Sequence, residues 1–444
     1  MSFNTELKKI SKITTNKTLL FRYTKKFNLN TDIKEILNTN YQYNKIYLSY
    51  DDNNFYLGIG KLLSFEVQTK KELLTLKNKC SLKNYQIISS GIDQNAPIKF
   101  FGGVAFNIDK DIEAPWSDEI PKSIFSIPKI LIFNTNKNIN ITFSFLIDND
   151  DDIKNSYNTY NNFEKSLNIQ KNNISTSVIE TTISPTKKEY SNIFNNYMES
   201  INKKKIDKIV LSRMKTFTFN DIILKNNLFN NTNKNCTDFL IDFNLNYTFF
   251  GSTPEKLIEV NNNKIYSEAI AGTVSKDEDN NNLMNDNKEL YEHQYVVNHI
   301  LEKLKPFLKN INKPTKPLIK SLNHIKHLFT PIHGETTTNI HILELLYNLY
   351  PTSAVLGFPD NYVLNMIKKS EPFDRGWYSG CIGWFDTNGN GRFDVAIRSA
   401  LMNSKHIHFF SGGGIVKGSL ENKEWDETEL KFQQLTSAIS NNLK

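Results

Sequence analysis

Residues 351–431 are the most informative part of this chain, and they read PTSAVLGFPDNYVLNMIKKSEPFDRGWYSGCIGWFDTNGNGRFDVAIRSALMNSKHIHFFSGGGIVKGSLENKEWDETELK. The chain has 18 Gly, and 11 of these lie between Gly334 and Gly418. Three of its five Arg also lie in this stretch, although Lys is the usual cation of the chain. Clustered Gly lets a ligand approach the backbone, and the planar guanidinium of Arg binds carboxylates in a two-pronged manner. The stretch therefore predicts a pocket for a small anion, although a set of tight hairpins would explain the same composition.

The composition is that of a folded protein with a large core. Of the 444 residues, 39% are hydrophobic, and they include 30 Phe and 19 Tyr. This apolar content excludes a disordered chain. The net charge of +7 suits an acidic metabolite. Lys residues are spread along the sequence without a basic block, a helix-turn-helix pattern or zinc-finger spacing, so we expect no nucleic-acid partner.

The sequence also bears on location. No apolar run approaches the roughly 18–20 residues that a membrane-spanning helix needs, and the first residues lack the apolar core of a signal peptide. Cys80, Cys236 and Cys381 are far apart and form no CxxC motif. Such cysteines are typical of reduced thiols in a reducing compartment. We therefore expect a cytoplasmic protein without a membrane partner.

Strand-like and helical patterns together predict the fold class. Short β-like runs bounded by Asn, Asp, Gly or Pro recur through residues 1–185, namely YNKIYLSY, FYLGIG, FFGGVAFN, KILIFN and INITFSFLI. Residues 186–444 mix such strands with helical patterns. The prediction is an α+β fold with large antiparallel sheets in a layered sandwich covered by helices. No Pro/Ser-rich linker separates the strand-rich half, 1–185, from the proposed catalytic half, 186–444, so we expect one continuous body.

Two predicted helices each carry two glutamates spaced three residues apart. They are Glu289 and Glu292 near the start of one helix, and Glu424 and Glu427 near the start of the last helix. This spacing places two carboxylates on one helix face, where like charges are unfavourable. Mg²⁺ takes oxygen ligands of this kind, so the pairs suggest a Mg²⁺ site. Solvated glutamates on a helix surface remain the alternative.

Three further features could bind or transform an anion. His324 and His327 are predicted to share a helix face without the additional ligand that zinc needs; His327 could bind a carboxylate or simply make one hydrogen bond in the core. Residues 412–414 are predicted to form a turn whose backbone N–H groups could cradle a carboxylate. Lys208 lies in the strand-like run KIVLSR, where a buried Lys could act as a general base and an exposed Lys would not.

Ten motifs then occur in the order found in the chorismate-utilising enzymes, which this chain resembles densely over about residues 186–435. They are KIVLSR, STPEKL, EAIAGT, KELYEH, HLFTP, PTSAVLGFP, EPFDRGWYSGCIGW, VAIRSA, GGGIVKGS and EWDETELK. The resemblance extends weakly to FFGGVAFN and SIPKIL in the first half. It implies the chorismate-binding enzyme fold and chorismate as the small-molecule substrate. A run of ten ordered motifs is far more specific than any single one.

Within this family, PTSAV and EPFDRGWY resemble the isochorismate synthases, and EPFDRGWY resembles notably their menaquinone-pathway form. PTSAV is similar to their PTPAV, whereas salicylate synthases and ammonia-using members tend to carry Thr at the position of Ala354. KIVLSR supplies Lys208, which water-using members have and ammonia-using members lack. The resemblance therefore implies isomerisation of chorismate by water addition at C2 and loss of the 4-hydroxyl. The alternatives are a salicylate synthase, which would also eliminate pyruvate, and a non-catalytic chorismate-binding relative.

The resemblance also implies a role for individual side chains. Lys208 would be the general base and Glu255 the general acid. Glu292 and Glu427 would bind Mg²⁺, with Glu289 and Glu424 supporting it through water. The substrate would be held by Gly272, Thr273, His327, Ala354, Tyr378, Arg398, Gly412, Gly413, Gly414 and Lys431. We expect a monomer or weak dimer, and we note that the Asn-rich loop before the first glutamate pair is shorter than the family pattern.

Overall fold

The structure is a computed structural model. It describes residues 2–13, 15–28, 32–38, 43–51, 53–135, 138–166, 177–221, 225–229, 235–336 and 338–440. The sequence predicts that the polar segment 147–173 is mostly solvated loop or helix surface and that the Asn-rich run 225–236 is a loop. Of these, residues 167–173 and 230–234 lie outside the described residues.

The helices form where apolar residues recur every three or four positions. In chain order they are α1 (Phe3–Ile10), α2 (Leu73–Lys79), α3 (Asp150–Ser166), α4 (Lys187–Asn202), α5 (Asn280–Asn285), α6 (Asn287–Leu304), α7 (Ile342–Leu349), α8 (Asp360–Ser370) and α9 (Glu421–Ser440). Helix α4 begins with a capping box between Thr186 and Glu189, which satisfies backbone N–H groups that the helix itself leaves free. Among the described residues, none of these helices combines the length and the apolar character needed to cross a membrane.

The strands alternate with turns along the whole chain. In chain order they are β1 (Thr18–Lys26), β2 (Lys45–Asp51), β3 (Asn54–Phe65), β4 (Tyr85–Gly91), β5 (Lys99–Val104), β6 (Ser123–Thr135), β7 (Asn138–Ile147), β8 (Val178–Ser184), β9 (Lys208–Phe219), β10 (Thr237–Asp242), β11 (Thr248–Thr253), β12 (Lys256–Asn261), β13 (Lys264–Ser275), β14 (Leu308–Asn312), β15 (Leu318–Ser321), β16 (Ile325–Thr336), β17 (Gly357–Phe358), β18 (Cys381–Asp386), β19 (Gly391–Val395), β20 (Ser399–Met402) and β21 (His406–Val416). Of the described residues, 30% lie in helices and 40% in strands, which confirms the predicted α+β class.

These strands form one continuous, curled sheet. One path of neighbours runs β8–β9–β21–β20–β11–β10–β2–β3–β6. From β6, one branch continues through β5, β18, β19, β12 and β13 to β16, and another continues through β7 and β1 to β4. Every pairing in these paths is antiparallel except β1 with β4. The curl brings inward-facing side chains of distant strands together, which buries the apolar cores.

Strands from either side of residue 185 pair with one another. Strand β2 pairs with β10, and β5 pairs with β18. At the second junction, the rings of Phe100 and Phe385 stack with centroids 4.9 Å apart. The division of the chain into 1–185 and 186–444 stays a prediction.

Three local predictions differ from the structure. His327 lies in strand β16 rather than on a helix, because β16 pairs along its length with β13. Residues 412–414 lie inside strand β21 rather than in a turn, because they pair with residues 210–212 of β9. The polar run at 276–287, predicted as a loop, contains helix α5.

A buried ion pair ties β9 to the chain that precedes β17. Arg375 donates hydrogen bonds to both carboxylate oxygens of Glu371, from Nε at 2.8 Å and from Nη2 at 2.5 Å. It also donates to the backbone oxygens of Val355, at 2.7 Å, and Val210, at 2.8 Å. Glu371 accepts a further hydrogen bond from the backbone N–H of Ser212 at 2.8 Å. The Glu371–Arg375 pair therefore fixes the position of β9 relative to its neighbour.

Replacing Arg375 with Met should lower the free energy of unfolding by about 3–5 kcal/mol, since Glu371 would stay buried without its counter-charge. Urea unfolding at neutral pH measures this loss. Lys203→Met is the control, because Lys203 pairs with Glu199 on the exposed surface of α4, and it should leave stability nearly unchanged. The double variant Glu371→Leu/Arg375→Met should recover part of the loss. A double variant that loses as much as the two single variants added together would contradict the role of the pair.

Candidate functional site

A small cavity of about 60 Å³ lies among β13, β16, β21, α6 and α9. Twelve of the predicted site residues line it, namely Glu255, Gly272, Thr273, Glu292, His327, Ala354, Tyr378, Arg398, Gly412, Gly414, Glu427 and Lys431. Four others adjoin this lining without forming part of it, namely Lys208, Glu289, Gly413 and Glu424. The structure thus brings the predicted residues together from ten separate places in the sequence.

Lys208 begins strand β9 and is fully buried. Its backbone is fixed on both sides, because it pairs with Val416 of β21 and with Phe358 of β17. Its Nζ lies 3.0 Å from Oε1 of Glu292 on helix α6. A buried lysine needs such a partner, since an unpaired charge costs several kcal/mol inside a protein. The structure therefore excludes the alternative, left open by the sequence, that Lys208 is an exposed surface lysine.

Gly414 in β21 leaves the space that this ion pair occupies. A Cβ on Gly414 would lie 2.0 Å from Oε1 of Glu292 and 3.0 Å from Cε of Lys208. Gly413 faces the opposite side of the strand, where a Cβ would lie 3.5 Å from the carboxylate of Glu424. Position 414 therefore excludes any larger residue unless Glu292 moves, whereas position 413 has room for a methyl group.

Glu255 lies directly between β11 and β12 and is only 3% exposed. Its Oε1 has no hydrogen-bond partner within the described ranges of the chain. Burial raises the pKa of Glu255 to about 8, and Lys208 only partly opposes this effect. The carboxyl is therefore protonated at neutral pH, which is the state that a proton donor requires.

Three of the four paired glutamates surround an ammonium group. Nζ of Lys288 lies 3.0 Å from Oε1 of Glu289, 3.6 Å from Oε2 of Glu292 and 2.9 Å from Oε1 of Glu424. Burial on its own would lower the pKa of Lys288, but the surrounding glutamates raise it well above its ordinary value. In the part of the chain that the structure describes, no three His, Cys, Asp or Glu side chains converge closely enough to hold a metal ion. The ammonium group of Lys288 lies between the carboxylates that would have to hold such an ion.

The carboxylates of this cluster differ in their protonation. Burial raises the pKa of Glu289 to about 8 and that of Glu424 to about 7. Burial also acts to raise the pKa of Glu292, but Lys208 and Lys288 together overcome it and hold the value at about 2. Oε2 of Glu424 is buried and finds no hydrogen-bond partner among the described residues. Oε2 of Glu424 could therefore bind a further cation.

Arg398 reaches the cavity from a turn in which its own backbone is left-handed, with φ at 50°. Its Nη1 donates to Gln434, and its Nη2 lies 3.1 Å from Nε2 of His327. Because arginine can only donate, Nε2 of His327 accepts and Nδ1 carries the proton, 3.0 Å from Oγ1 of Thr273. Burial keeps the pKa of His327 well below its ordinary value. His327 is therefore a neutral acceptor that orients the guanidinium.

Lys431 supplies a second cation to the cavity wall. Its Nζ donates to the backbone oxygen of Gly412 at 2.8 Å and lies 2.5 Å from Oε1 of Glu427, one turn earlier on α9. A Cβ on Gly412 would lie 2.8 Å from the hydroxyl oxygen of Tyr378, so this position also needs glycine. Lys431 and the hydroxyl of Tyr378 thus present polar groups to one side of the cavity.

The remaining arginines of the 351–431 stretch serve the scaffold. Arg375 belongs to the buried pair with Glu371, and Arg392 lies 2.8 Å from Asp394 and 4.0 Å from the ring centre of Tyr50. Among the residues that the sequence did not predict are Lys288 and Gln434, whose side chains contact predicted site residues. Both follow helical spacing from predicted residues, since Lys288 lies four positions before Glu292 and Gln434 three positions after Lys431.

Comparison with known proteins identifies the family. A family model described as chorismate binding enzyme matches residues 5–440. The chain belongs to the chorismate-binding enzyme family. The resemblance indicated by the ordered motifs is thereby confirmed.

Relatives within this family are named isochorismate synthases. Isochorismate synthase MenF of Bacillus subtilis is 34% identical over 251 residues, which cover 54% of this chain and 53% of that protein. The match with this relative thus spans only about half of its length. Isochorismate synthase MenF of Haemophilus influenzae is 30% identical over 328 residues, which cover 71% of this chain and 75% of that protein.

A solved structure has the same fold over the full length. The structure of MenF from Escherichia coli, described as a menaquinone-specific isochorismate synthase, superposes with a TM-score of 0.79 and covers 99% of this chain and 100% of that one. The two sequences are 20% identical, so this likeness shows the fold alone. It confirms the chorismate-binding enzyme fold expected from the motifs.

Replacing Gly414 with Ala should destabilise the protein by about 1–3 kcal/mol, because the added methyl group must displace Glu292 from its ion pair with Lys208. Gly413→Ala is the matched control, since its methyl group would make only an ordinary contact, and it should be neutral or slightly stabilising. Urea unfolding of both variants measures the difference. Equal effects of the two substitutions would show that the close approach to Glu292 is unimportant.

Proposed function

We propose that this chain is a Mg²⁺-dependent isochorismate synthase, which adds water at C2 of chorismate and removes the 4-hydroxyl. The main support is that a protonated glutamate lines the cavity and a buried lysine lies beside it. Lys208 is fully buried, and Glu255, which lines the cavity, is held in its acid form by burial. Water addition with loss of hydroxide needs both a base and an acid. The names of the relatives point to the same reaction.

The glutamate cluster suits a divalent cation in its donor chemistry. Its carboxylates gather around the ammonium of Lys288, and Oε2 of Glu424 is buried without a partner in the described residues. We propose that Glu292 and Glu427 would bind Mg²⁺, with Glu289 and Glu424 in support. When bound, Mg²⁺ would neutralise and orient the ring carboxylate of chorismate.

The charges around the cavity favour a ligand with two carboxylates. Four basic side chains lie at or beside the cavity, namely Lys208, Lys288, Lys431 and Arg398. Chorismate would add two negative charges, and one Mg²⁺ would balance them. Arg398 is suited to the second carboxylate, because a guanidinium can donate two parallel hydrogen bonds to it. His327 would keep the guanidinium in place, and Lys431, Tyr378 and the backbone of β21 would complete the contacts.

In the proposed reaction, Lys208 must first release its ammonium proton to solvent, and the neutral amine then takes a proton from water as the oxygen bonds to C2. The ring double bonds shift, the bond between C4 and its oxygen breaks, and Glu255 donates a proton so that the 4-hydroxyl leaves as water. Product and substrate are isomers, because one water enters and one leaves. Lys208 then carries the extra proton and Glu255 lacks one, so the proton must return through solvent before the next cycle.

Incubation with chorismate and Mg²⁺, followed by chromatography, tests this function. Isochorismate as the sole product would support it. Salicylate with pyruvate would instead indicate a salicylate synthase, and anthranilate formed with ammonia would indicate an ammonia-using member of the family. Binding of chorismate without turnover would indicate a non-catalytic relative. Delivery of the product to menaquinone synthesis, a cytoplasmic location and a monomeric or weakly dimeric state stay predictions.

Replacing Lys208 with Met should lower kcat for isochorismate formation by about 10²–10⁴-fold, because the attacking water would lose its base. Binding of chorismate, measured by calorimetry, should change much less than kcat, since the proposed base acts on the attacking water and not on the carboxylates of the substrate. Lys215→Met is the control on the same strand, because Lys215 pairs with Glu429 instead. Full turnover by the Lys208 variant would show that another group is the base.

The pH dependence of turnover should report Glu255. Its raised pKa of about 8 means that the acid form dominates below this pH and is lost above it. We therefore expect kcat/KM to fall about tenfold for each pH unit above about 8. Glu255→Gln should be nearly inactive and should lack this basic limb. A wild-type profile that stays flat well above pH 8 would exclude Glu255 as the acid.

A further inference from the structure

Lys288 occupies an unusual place for a lysine. It is the second residue of helix α6, and its side chain is only 19% exposed. A cation in the first turn of a helix faces the positive end of the helix dipole, which is unfavourable. The position therefore needs a compensating interaction, and the glutamates from two helices provide it.

The glutamates in turn need a cation. Glu289, Glu292 and Glu424 are 8%, 6% and 2% exposed, so solvent screens their mutual repulsion poorly. Lys208 reaches Glu292 among these three carboxylates. Lys288 contacts all three, and it joins α6 to Glu424 of α9. Without its ammonium, the carboxyl groups of the two helices would face each other without the cation that now lies between them.

An ammonium and a magnesium ion cannot share this position. Lys288 holds the carboxylate oxygens 2.9–3.6 Å from its nitrogen, whereas Mg²⁺ requires oxygens at about 2.0–2.1 Å in a near-octahedral arrangement. The carboxylates must therefore close in, and the ammonium must leave. The lysine side chain is flexible enough for this movement, and its partial exposure leaves a route to solvent.

We propose that Lys288 is a built-in cation that holds the carboxylate cluster together in the metal-free protein and competes with Mg²⁺ for it. Lys288 thereby sets the affinity of the site for Mg²⁺ and keeps the ends of α6 and α9 in place until the metal arrives. This inference rests on the proposed Mg²⁺ site. It concerns a residue that is neither the base, the acid nor a metal ligand.

Calorimetric titration of the chorismate-free protein with MgCl₂ tests the competition. Lys288→Met removes the charge but keeps a similar length, and it should bind Mg²⁺ about tenfold tighter or more. Lys303→Met is the control on the same helix, because Lys303 lies 3.8 Å from Asp360 and outside the cluster, and its affinity should match the wild type. Lys288→Arg keeps the charge and should bind Mg²⁺ no more tightly than the wild type.

Thermal unfolding gives an independent readout. Metal-free Lys288→Met should unfold at a lower temperature than the wild type, and saturating Mg²⁺ should raise its unfolding temperature by more than that of the wild type. If the variant does not fold without metal, labelling of wild-type lysines by acetic anhydride replaces it. Mass spectrometry should then show that Lys288 becomes more reactive when Mg²⁺ is bound.

The outcomes separate this inference from the proposed function. Equal Mg²⁺ affinity of the wild type and Lys288→Met, or labelling of Lys288 that Mg²⁺ leaves unchanged, would overturn the competition while the metal site stands. Absence of Mg²⁺ binding by the wild type and by every variant would overturn the metal site and the inference with it.

Discussion

Burial of charge is the constraint on which this structure depends. Around one cavity, nine ionisable side chains lie largely out of solvent, namely Glu255, Glu289, Glu292, Glu424, Glu427, Lys208, Lys288, Lys431 and Arg398. An unpaired charge in such surroundings costs several kcal/mol, so each group must pair or lose its charge. Glu292 keeps its charge and pairs with Lys208 and Lys288, whereas Glu255 is protonated and carries no charge. The difference in pKa between these two glutamates follows from their partners rather than from their depth.

The backbone makes this pairing possible. Strands β9 and β21 are hydrogen-bonded neighbours, so Lys208 and Gly414 lie within a few residues of each other on adjacent strands. Because Gly414 has no side chain, Glu292 of α6 approaches β21 closely enough to form an ion pair with Lys208. The Glu371–Arg375 pair then holds β9 from its other side. The sheet therefore sets the spacing of the reactive groups, and the helices carry the carboxylates that surround them.

The sequence predicted the class of fold and most of the cavity lining, but it failed where long-range pairing controls local structure. Lys208, Glu255 and the glutamate pairs could be found, because their motifs keep a fixed order along the chain. His327 was placed on a helix, since its spacing from His324 fits one, and only the pairing with β13 makes it a strand residue. Residues 412–414 resembled a turn, because three glycines usually mark one. In the structure, Gly412 allows the close approach of Tyr378, and Gly414 allows that of Glu292. No local sequence pattern indicates these contacts.

The missed residue, Lys288, shows a more general difficulty. A lysine four positions before a glutamate is an ordinary surface pair on a helix, and nothing in α6 alone distinguishes it from one. Its role depends on Glu424, which lies on α9, more than a hundred residues later in the sequence. The same pairing affects how a ligand can bind. Because the cations of the cavity already have partners, a ligand gains only the difference between its own contacts and those it replaces. A site of this kind discriminates among anions by the pattern of charge that they offer, and a single carboxylate would gain little from it.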